Sequence, residues 1–448
     1  MGVYDFKEKN SARTKPSTDG LEKNKLKFKK AAMKSLALFL LFALLCTTAL
    51  SAPSLSGQEA VDYPYILVHG IGGWGRDEGI NNTLPYWGAT TGNLAEFLNE
   101  EGYSVFEASV GPLSSAWDRA CELYAQLTGT RVDYGQAHSK ANNHARYGRT
   151  YDSPMFEGWG EKSAGGQIKK INLVGHSFGG LTIRLFVSLL ENGAPEEVAA
   201  TGEDTSPLFL GGQGDLVHSV TTICSPNNGA TLVTAFENFN ILSPFIDLCV
   251  AYTILAGNSP LSGYVDFHLE QFGITKVPGE ERSISEIIGD LMLFEGTGTD
   301  NAAYDIFPDE ARNINQRISF VDGVYYTSYS FCTTVENPYD LTHFPKSSTL
   351  SVLKISAFLI GRYTDRRLED NSFDSRWFAN DGLVSVYSAR NPKDEPWQDF
   401  DGEKLVAGKW NVMPTISGDH GTAIGLFADA DQTRQFYLDM FELIENTK

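Results

Sequence analysis

The segment 171–192 constrains this chain more than any other. Ile171-Asn172-Leu173-Val174 reads as a buried strand, Gly175-His176-Ser177-Phe178-Gly179-Gly180 follows, and a helical run continues to about Asn192. A G-x-S-x-G pattern between a strand and a helix makes a tight turn that lifts a serine Oγ above a sheet. Glycines two residues either side remove side chains that would clash. The helix that follows offers the backbone N–H of Phe178 and a favourable dipole to a developing oxyanion. The plainer alternative is a glycine-rich turn with an idle serine.

The surroundings suit the first reading. Tyr63–Val68 is strand-like and stops at His69-Gly70-Ile71-Gly72-Gly73, a loop that can supply a second oxyanion donor, the N–H of Ile71. Leu94, Phe97 and Leu98 have helical spacing, and Ser104–Val110 and Val217–Cys224 are again strand-like. Tyr325–Phe331 and Leu383–Val386 read as late strands, and a last helix carries Phe436, Met440 and Ile444 on one face. Alternating strands and helices imply an α/β protein with a mostly parallel, doubly wound sheet. Residues 111–167 and 229–319 are too long for ordinary connections. With no repeat and no low-complexity linker, one domain over 52–448 with two large insertions is expected.

Composition removes several function classes. With 36 basic and 56 acidic residues the formal charge is −20, so nucleic acid is not an expected partner and an anionic membrane would repel the chain. The N-terminal part differs. Residues 1–51 hold ten basic and four acidic side chains, then the apolar run Leu36–Leu45 and small residues to Ala52. That order describes an export signal, and the run is short for a membrane span of about 20 residues. Met33-Lys34-Ser35 plus the run is a compact signal by itself, so a start at Met33 is expected. The product is then secreted, with no integral span in the mature chain. Beyond Cys46, Cys121, Cys224, Cys249 and Cys332 are too few for a disulfide framework, and buried free thiols fit at least as well.

A serine nucleophile needs a base, and the base needs an orienting acid. On this fold class the chain order is serine, acid, histidine. Four of the eight histidines follow Ser177: His218, His268, His343 and His420. Only His420 lies late, in Ser417-Gly418-Asp419-His420-Gly421, where a loop can fold back over the serine. His69 and His176 read as structural. Asp381, in Asn380-Asp381-Gly382, is the best-placed acid, with Asp374 and Asp419 as rivals.

Further motifs resemble a known family. Gly111-Pro112-Leu113-Ser114-Ser115-Ala116-Trp117-Asp118-Arg119-Ala120-Cys121-Glu122, Val132-Asp133-Tyr134-Gly135 and His144-Ala145-Arg146-Tyr147-Gly148-Arg149-Thr150 resemble the secreted zinc-containing lipases of the thermoalkalophilic Bacillus type and their staphylococcal relatives. The likeness runs from about Pro64 to the C-terminus. It implies an α/β-hydrolase with Ser177 as nucleophile, Asp381 as acid, His420 as base, and Ile71 and Phe178 as oxyanion donors. Gly175 stands where the Bacillus-type proteins often carry alanine.

The resemblance also implies a structural zinc ion held by Asp118, His138, His144 and Asp266, tying the 111–150 region to the second insertion. Imidazole nitrogen and carboxylate oxygen are suitable donors for a closed tetrahedral site. Calcium is not expected, because Thr422 and Phe427 stand where the family's acidic ligands would be. The apolar stretch Phe236–Ala256 corresponds to the family's lid, whose opening at an oil–water interface exchanges buried area for lipid contact. The function implied is hydrolysis of acylglycerol esters through an acyl-enzyme. Competing readings are a broad carboxylesterase or polyester hydrolase with the same triad, and a non-catalytic binding protein on the same scaffold.

Overall fold

The computed structural model describes residues 63–163, 166–238, 266, 268–273, 298–365 and 373–447. The expected export signal (1–51) and most of the expected lid (239–256) lie outside these residues. No helix among the described residues is long and apolar enough to cross a membrane.

Seven parallel strands form the central sheet: β1 (Tyr65–Val68), β2 (Val105–Ala108), β3 (Ile171–His176), β4 (Val217–Ile223), β5 (Tyr325–Tyr329), β6 (Trp397–Asp399) and β7 (Trp410–Val412). Their spatial order is β6-β7-β5-β4-β3-β1-β2. Every residue of β1, β3 and β4 is buried. Strands covered on both faces read as near-continuous runs rather than alternations, and these three were therefore plain in the sequence. The helices used below are α1 (Leu94–Glu100), α2 (Ala116–Thr128), α3 (Phe178–Asn192), α4 (Lys354–Ile360), α5 (Val386–Arg390) and α6 (Ala430–Glu445).

From β1 the chain runs outward to β2, then returns to the opposite side of β1 as β3. That reversal is a topological switch point, and the crevice beyond the carboxyl ends of its strands is where open α/β sheets bind ligands. In register, Val68 of β1 lies beside Gly175 of β3. The loop His69-Gly70-Ile71 and the turn at Ser177 therefore leave the sheet side by side. On one side α3 packs against α2 and against β3. On the other, α6 buries Tyr437, Met440, Phe441 and Ile444 in a core with Tyr65 and Leu67, while Phe436 packs at its edge.

One expected strand is absent. Leu383–Val386 does not join the sheet: Asp381 Oδ1 accepts the N–H groups of Leu383 (2.9 Å) and Val384 (2.8 Å), and Gly382 has φ +104°. The chain is curled too tightly for a strand, and Ser385 caps α5 through the N–H of Tyr387. The late strands are β6 and β7 instead. Tyr325–Phe331 is strand in the main sheet only to Tyr329; Phe331-Cys332 pairs separately with Ile416-Ser417.

Glu107 of β2 is a buried carboxyl with one hydrogen bond, from Asn81 Nδ2 at 2.9 Å, and its Oε1 has no partner. Burial pushes its pKa from 4.5 up to about 7. The folded chain thus binds this proton more tightly than the unfolded chain. The associated stability is fully present below about pH 4.5 and is lost as pH rises through about 7. Urea unfolding at pH 5 and pH 8 should show Glu107→Gln losing less stability over that interval than the parent. Equal losses would contradict the assignment.

Candidate active site

Ser177 sits at the sharp bend between β3 and α3 with φ 55° and ψ −128°. A non-glycine residue in that region costs about 1–3 kcal/mol and persists only where its surroundings enforce it. Here they do. A Cβ on Gly175 would lie 2.5 Å from the backbone of Gly179, and one on Gly179 would lie 2.1 Å from the Val68 carbonyl oxygen. The flanking glycines are therefore required by close backbone approach, as the motif suggests. Phe178 opens α3, so its N–H has no intrahelical acceptor.

The early loop presses against this bend. A Cβ on Gly70 would fall 2.8 Å from Ser177 Cβ and 3.2 Å from its Oγ. Arg119 of α2, fully buried, donates to the His69 carbonyl, and its guanidinium lies 5.0 Å from the Phe178 ring centroid. One side chain thus touches the loop that leads to Ile71 and the ring of Phe178, the two residues that carry the expected oxyanion donors. His69 is buried, with Nδ1 2.9 Å from the Gly70 carbonyl and Nε2 3.0 Å from the Val110 carbonyl; burial, and then Arg119, lower its pKa to about 3, and its role is structural.

His420 lies in the loop before α6. Its Nδ1 donates to Asp381 Oδ2 at 2.8 Å and its backbone N–H donates to the Asp381 carbonyl at 2.9 Å. In the neutral ring this leaves Nε2 as the acceptor nitrogen. Asp381 is 1% exposed, and with Oδ1 held by two backbone N–H groups its carboxylate has one orientation. The rivals are engaged elsewhere. Asp374 pairs with Arg376 at 2.9 Å on the surface, and Asp419 binds Thr422 and the N–H of Leu350.

A hydrogen-bond relay joins these parts. His176 Nε2 faces the His420 carbonyl at 3.1 Å, which can only accept, so that nitrogen carries the proton. Nδ1 must then accept from Tyr86 Oη at 2.7 Å, and Tyr86 accepts from the N–H of Gly70 at 2.9 Å. Burial holds the His176 pKa well below its ordinary value, which keeps this neutral tautomer. The rings of His176 and His420 are 4.7 Å apart, centre to centre. The residue before the serine therefore anchors the loop bearing the expected base. Sequence reading marked His176 as structural but did not find Tyr86, because a lone tyrosine in a loop carries no pattern.

A second constellation lies away from the elbow. Asp118, His138, His144 and Asp300 bring one ligand atom each within 4.8 Å of one another. His138 Nε2 is 3.2 Å from Asp118 Oδ1, and His144 Nε2 is 3.1 Å from Asp300 Oδ2. Asp118 Oδ1, His144 Nε2 and Asp300 Oδ2 are buried and make no hydrogen bond. Buried polar atoms without partners are costly, and three of them converging with His138 Nε2 on one point fit a metal ion. Burial, and then the neighbouring Asp300 carboxylate, push the Asp118 carboxyl up.

This corrects one expected ligand. Asp266 is not in the cluster: its Oδ2 accepts from Arg149 at 2.8 Å, beside Glu270. Asp300 takes the fourth place. Both acids belong to the second insertion, and nothing in the sequence around Thr299-Asp300-Asn301 distinguishes it. No cysteine among the described residues is paired: Cys121, Cys224 and Cys332 are free thiols, and Cys249 lies outside those residues.

The family described as "Lipase-like, C-terminal domain" matches residues 61–447. Lipase 2 of Staphylococcus aureus is 34% identical over 376 residues, covering 82% of this chain and 51% of that protein. The chain thus spans about half the length of the curated relatives it matches. Among solved structures, EstA from Clostridium botulinum superposes with a TM-score of 0.74 at 34% identity, covering 88% of this chain and 89% of that one. Staphylococcus hyicus lipase gives 0.72 at 29% identity, covering 88% and 98%.

Proposed function

The chain belongs to the lipase-like C-terminal domain family, which has an α/β-hydrolase fold, and on that premise we propose that it is a secreted lipase that hydrolyses carboxylic esters of acylglycerols. The observation that carries the reading is the buried Asp381–His420 pair, at 2.8 Å, tied through His176 to the strained bend that presents Ser177.

In the reaction proposed, Ser177 Oγ attacks the ester carbonyl carbon while His420 Nε2 takes its proton. Asp381 keeps Nδ1 protonated and stabilises the imidazolium that forms. The N–H groups of Ile71 and Phe178 receive the oxyanion, a contribution of about 3–4 kcal/mol per donor in comparable sites. His420 gives its proton to the departing alcohol, then activates water, which attacks the acyl-serine and releases the acid. Neutral His176 places no competing cation beside the base.

None of the four residues of the metal cluster takes part in these steps. We assign the cluster to a structural zinc ion held by Asp118, His138, His144 and Asp300. Four protein ligands leave no open position, so the ion supplies a cross-link between the segment 118–144 and Asp300 rather than chemistry at the ester.

Hydrolysis of esters of graded chain length tests the substrate class. A lipase should show a rise of roughly tenfold or more as a triacylglycerol passes its solubility limit and a second phase forms. Simple saturation below that limit, with no step, would point to a carboxylesterase using the same triad.

A further inference from the structure

Among the described residues, much of the exposed apolar surface is concentrated in one stretch. Thr334–Glu336 and His343–Pro345 form an antiparallel hairpin in which Val335 and Phe344 are direct cross-strand partners, so both lie on one face. Phe344 packs on Phe358 of α4, with ring centres 5.8 Å apart, and the hairpin is fastened there by the N–H of His343 on the Gly361 carbonyl, at 2.7 Å. Val352, Ile355 and Phe358 recur every three residues and form an outward stripe, while Ser356, Ala357 and Ile360 face inward. Val352 is 83% exposed and Ile355 is 73% exposed. Branched aliphatic side chains aligned in this way on a soluble protein mark a contact surface.

The position of the stripe decides what it contacts. The N–H of Leu350, two residues before Val352, donates to Asp419 Oδ2 at 2.9 Å, beside His420. Leu353 lies against Gly382, the residue after Asp381, where a Cβ would fall 3.0 Å from its own. The surface is thus built onto the two loops that carry the acid and the base. A water-insoluble ester must reach Ser177 from a lipid phase, and the rim of the site is the part that phase touches first.

We propose that the stripe Val352-Ile355-Phe358, with Val335 and Phe344 of the hairpin, seats the protein on a zwitterionic lipid surface and holds the mouth of the site against it. Tyr339, at the tip of the hairpin, is 94% exposed, and its amphipathic ring suits the headgroup level. Arg362 lies over the rings of Phe344 and Phe358, a cation that suits a headgroup phosphate, while the chain's charge of −20 opposes a strongly anionic surface, so the matching surface is zwitterionic phospholipid. This inference rests on the proposed ester hydrolysis and adds the place where the lipid phase docks.

The test compares the parent chain with Val352→Ser/Ile355→Ser. In a Ser177→Ala background, which leaves lipid intact, flotation with phosphatidylcholine vesicles should show at least tenfold weaker binding for the double variant. Phosphatidylglycerol vesicles at low salt should bind the parent more weakly than phosphatidylcholine does. With Ser177 present, turnover of a dissolved short-chain ester should match the parent within about twofold, and Tm should be unchanged. Undiminished vesicle binding, or no binding by the parent, would overturn the proposal. So would stronger binding to the anionic vesicles. A Tm fall of several degrees would show that the stripe covers another part of this chain, and a parent dimer lost in the variant would assign it to a second copy. Failure of the parent on the dissolved ester would instead sink the proposed hydrolysis, a result the flotation arm does not depend on.

Discussion

Ser177→Ala should lower kcat for ester hydrolysis by about 10⁴- to 10⁶-fold, with little change in KM or in the unfolding transition. The residue is the N-cap of α3 but makes no side-chain capping bond, so removing Oγ leaves the helix start unaltered. Alanine at φ 55° keeps the strained backbone. Asp381→Asn should cost about 10⁴-fold, because an amide at that position favours the wrong His420 tautomer. Asp374→Asn, on the surface with Arg376, should retain parental activity. Steady-state kinetics on one soluble ester separates the three. Comparable losses for Asp374→Asn and Asp381→Asn would remove the basis for choosing between the acids.

The second large effect concerns the metal. Metal analysis should find one zinc per chain, and Asp300→Ala should reduce it to less than about a tenth. Stripping the ion with a strong chelator should lower Tm by roughly 10 °C or more, since an ion bound only by the folded state adds its binding free energy to stability. Asp266→Ala should keep the zinc, because that carboxylate serves Arg149. It should cost little else: the pair is about a quarter exposed, and partly solvated ion pairs contribute about 0–1 kcal/mol. Loss of zinc in Asp266→Ala with retention in Asp300→Ala would reverse the assignment.

These two experiments fall where legibility in the sequence changes. The elbow was plain because its pattern is contiguous: residues 175 to 179 are consecutive, and its two glycines are required by close backbone approach, of Gly175 to Gly179 and of Gly179 to Val68 on the neighbouring strand. The central strands were plain because burial on both faces makes them β-branched runs. The acid was harder. Leu383-Val384 has a strand's composition, yet two hydrogen bonds to Asp381 curl it into a turn. Sheet strand β7, Trp410–Val412, is only three residues long, with Lys409 before it and Met413-Pro414 after it, so its pairing with β5 leaves no signature. The fourth metal ligand was not legible. Asp266 and Asp300 lie in one insertion, and only the packing that buries Asp300 beside His144, while leaving Asp266 with Arg149, separates them.

The central claim is that Ser177 is a nucleophile activated by His420. Labelling with a fluorophosphonate followed by peptide mass spectrometry tests it most directly, because the reagent forms a bond only with an activated hydroxyl. The account predicts one phosphonyl group per chain, carried by Ser177, and a labelling rate at least a thousandfold slower in His420→Ala. A parent chain that stays unlabelled, or an adduct at any other residue, would contradict it.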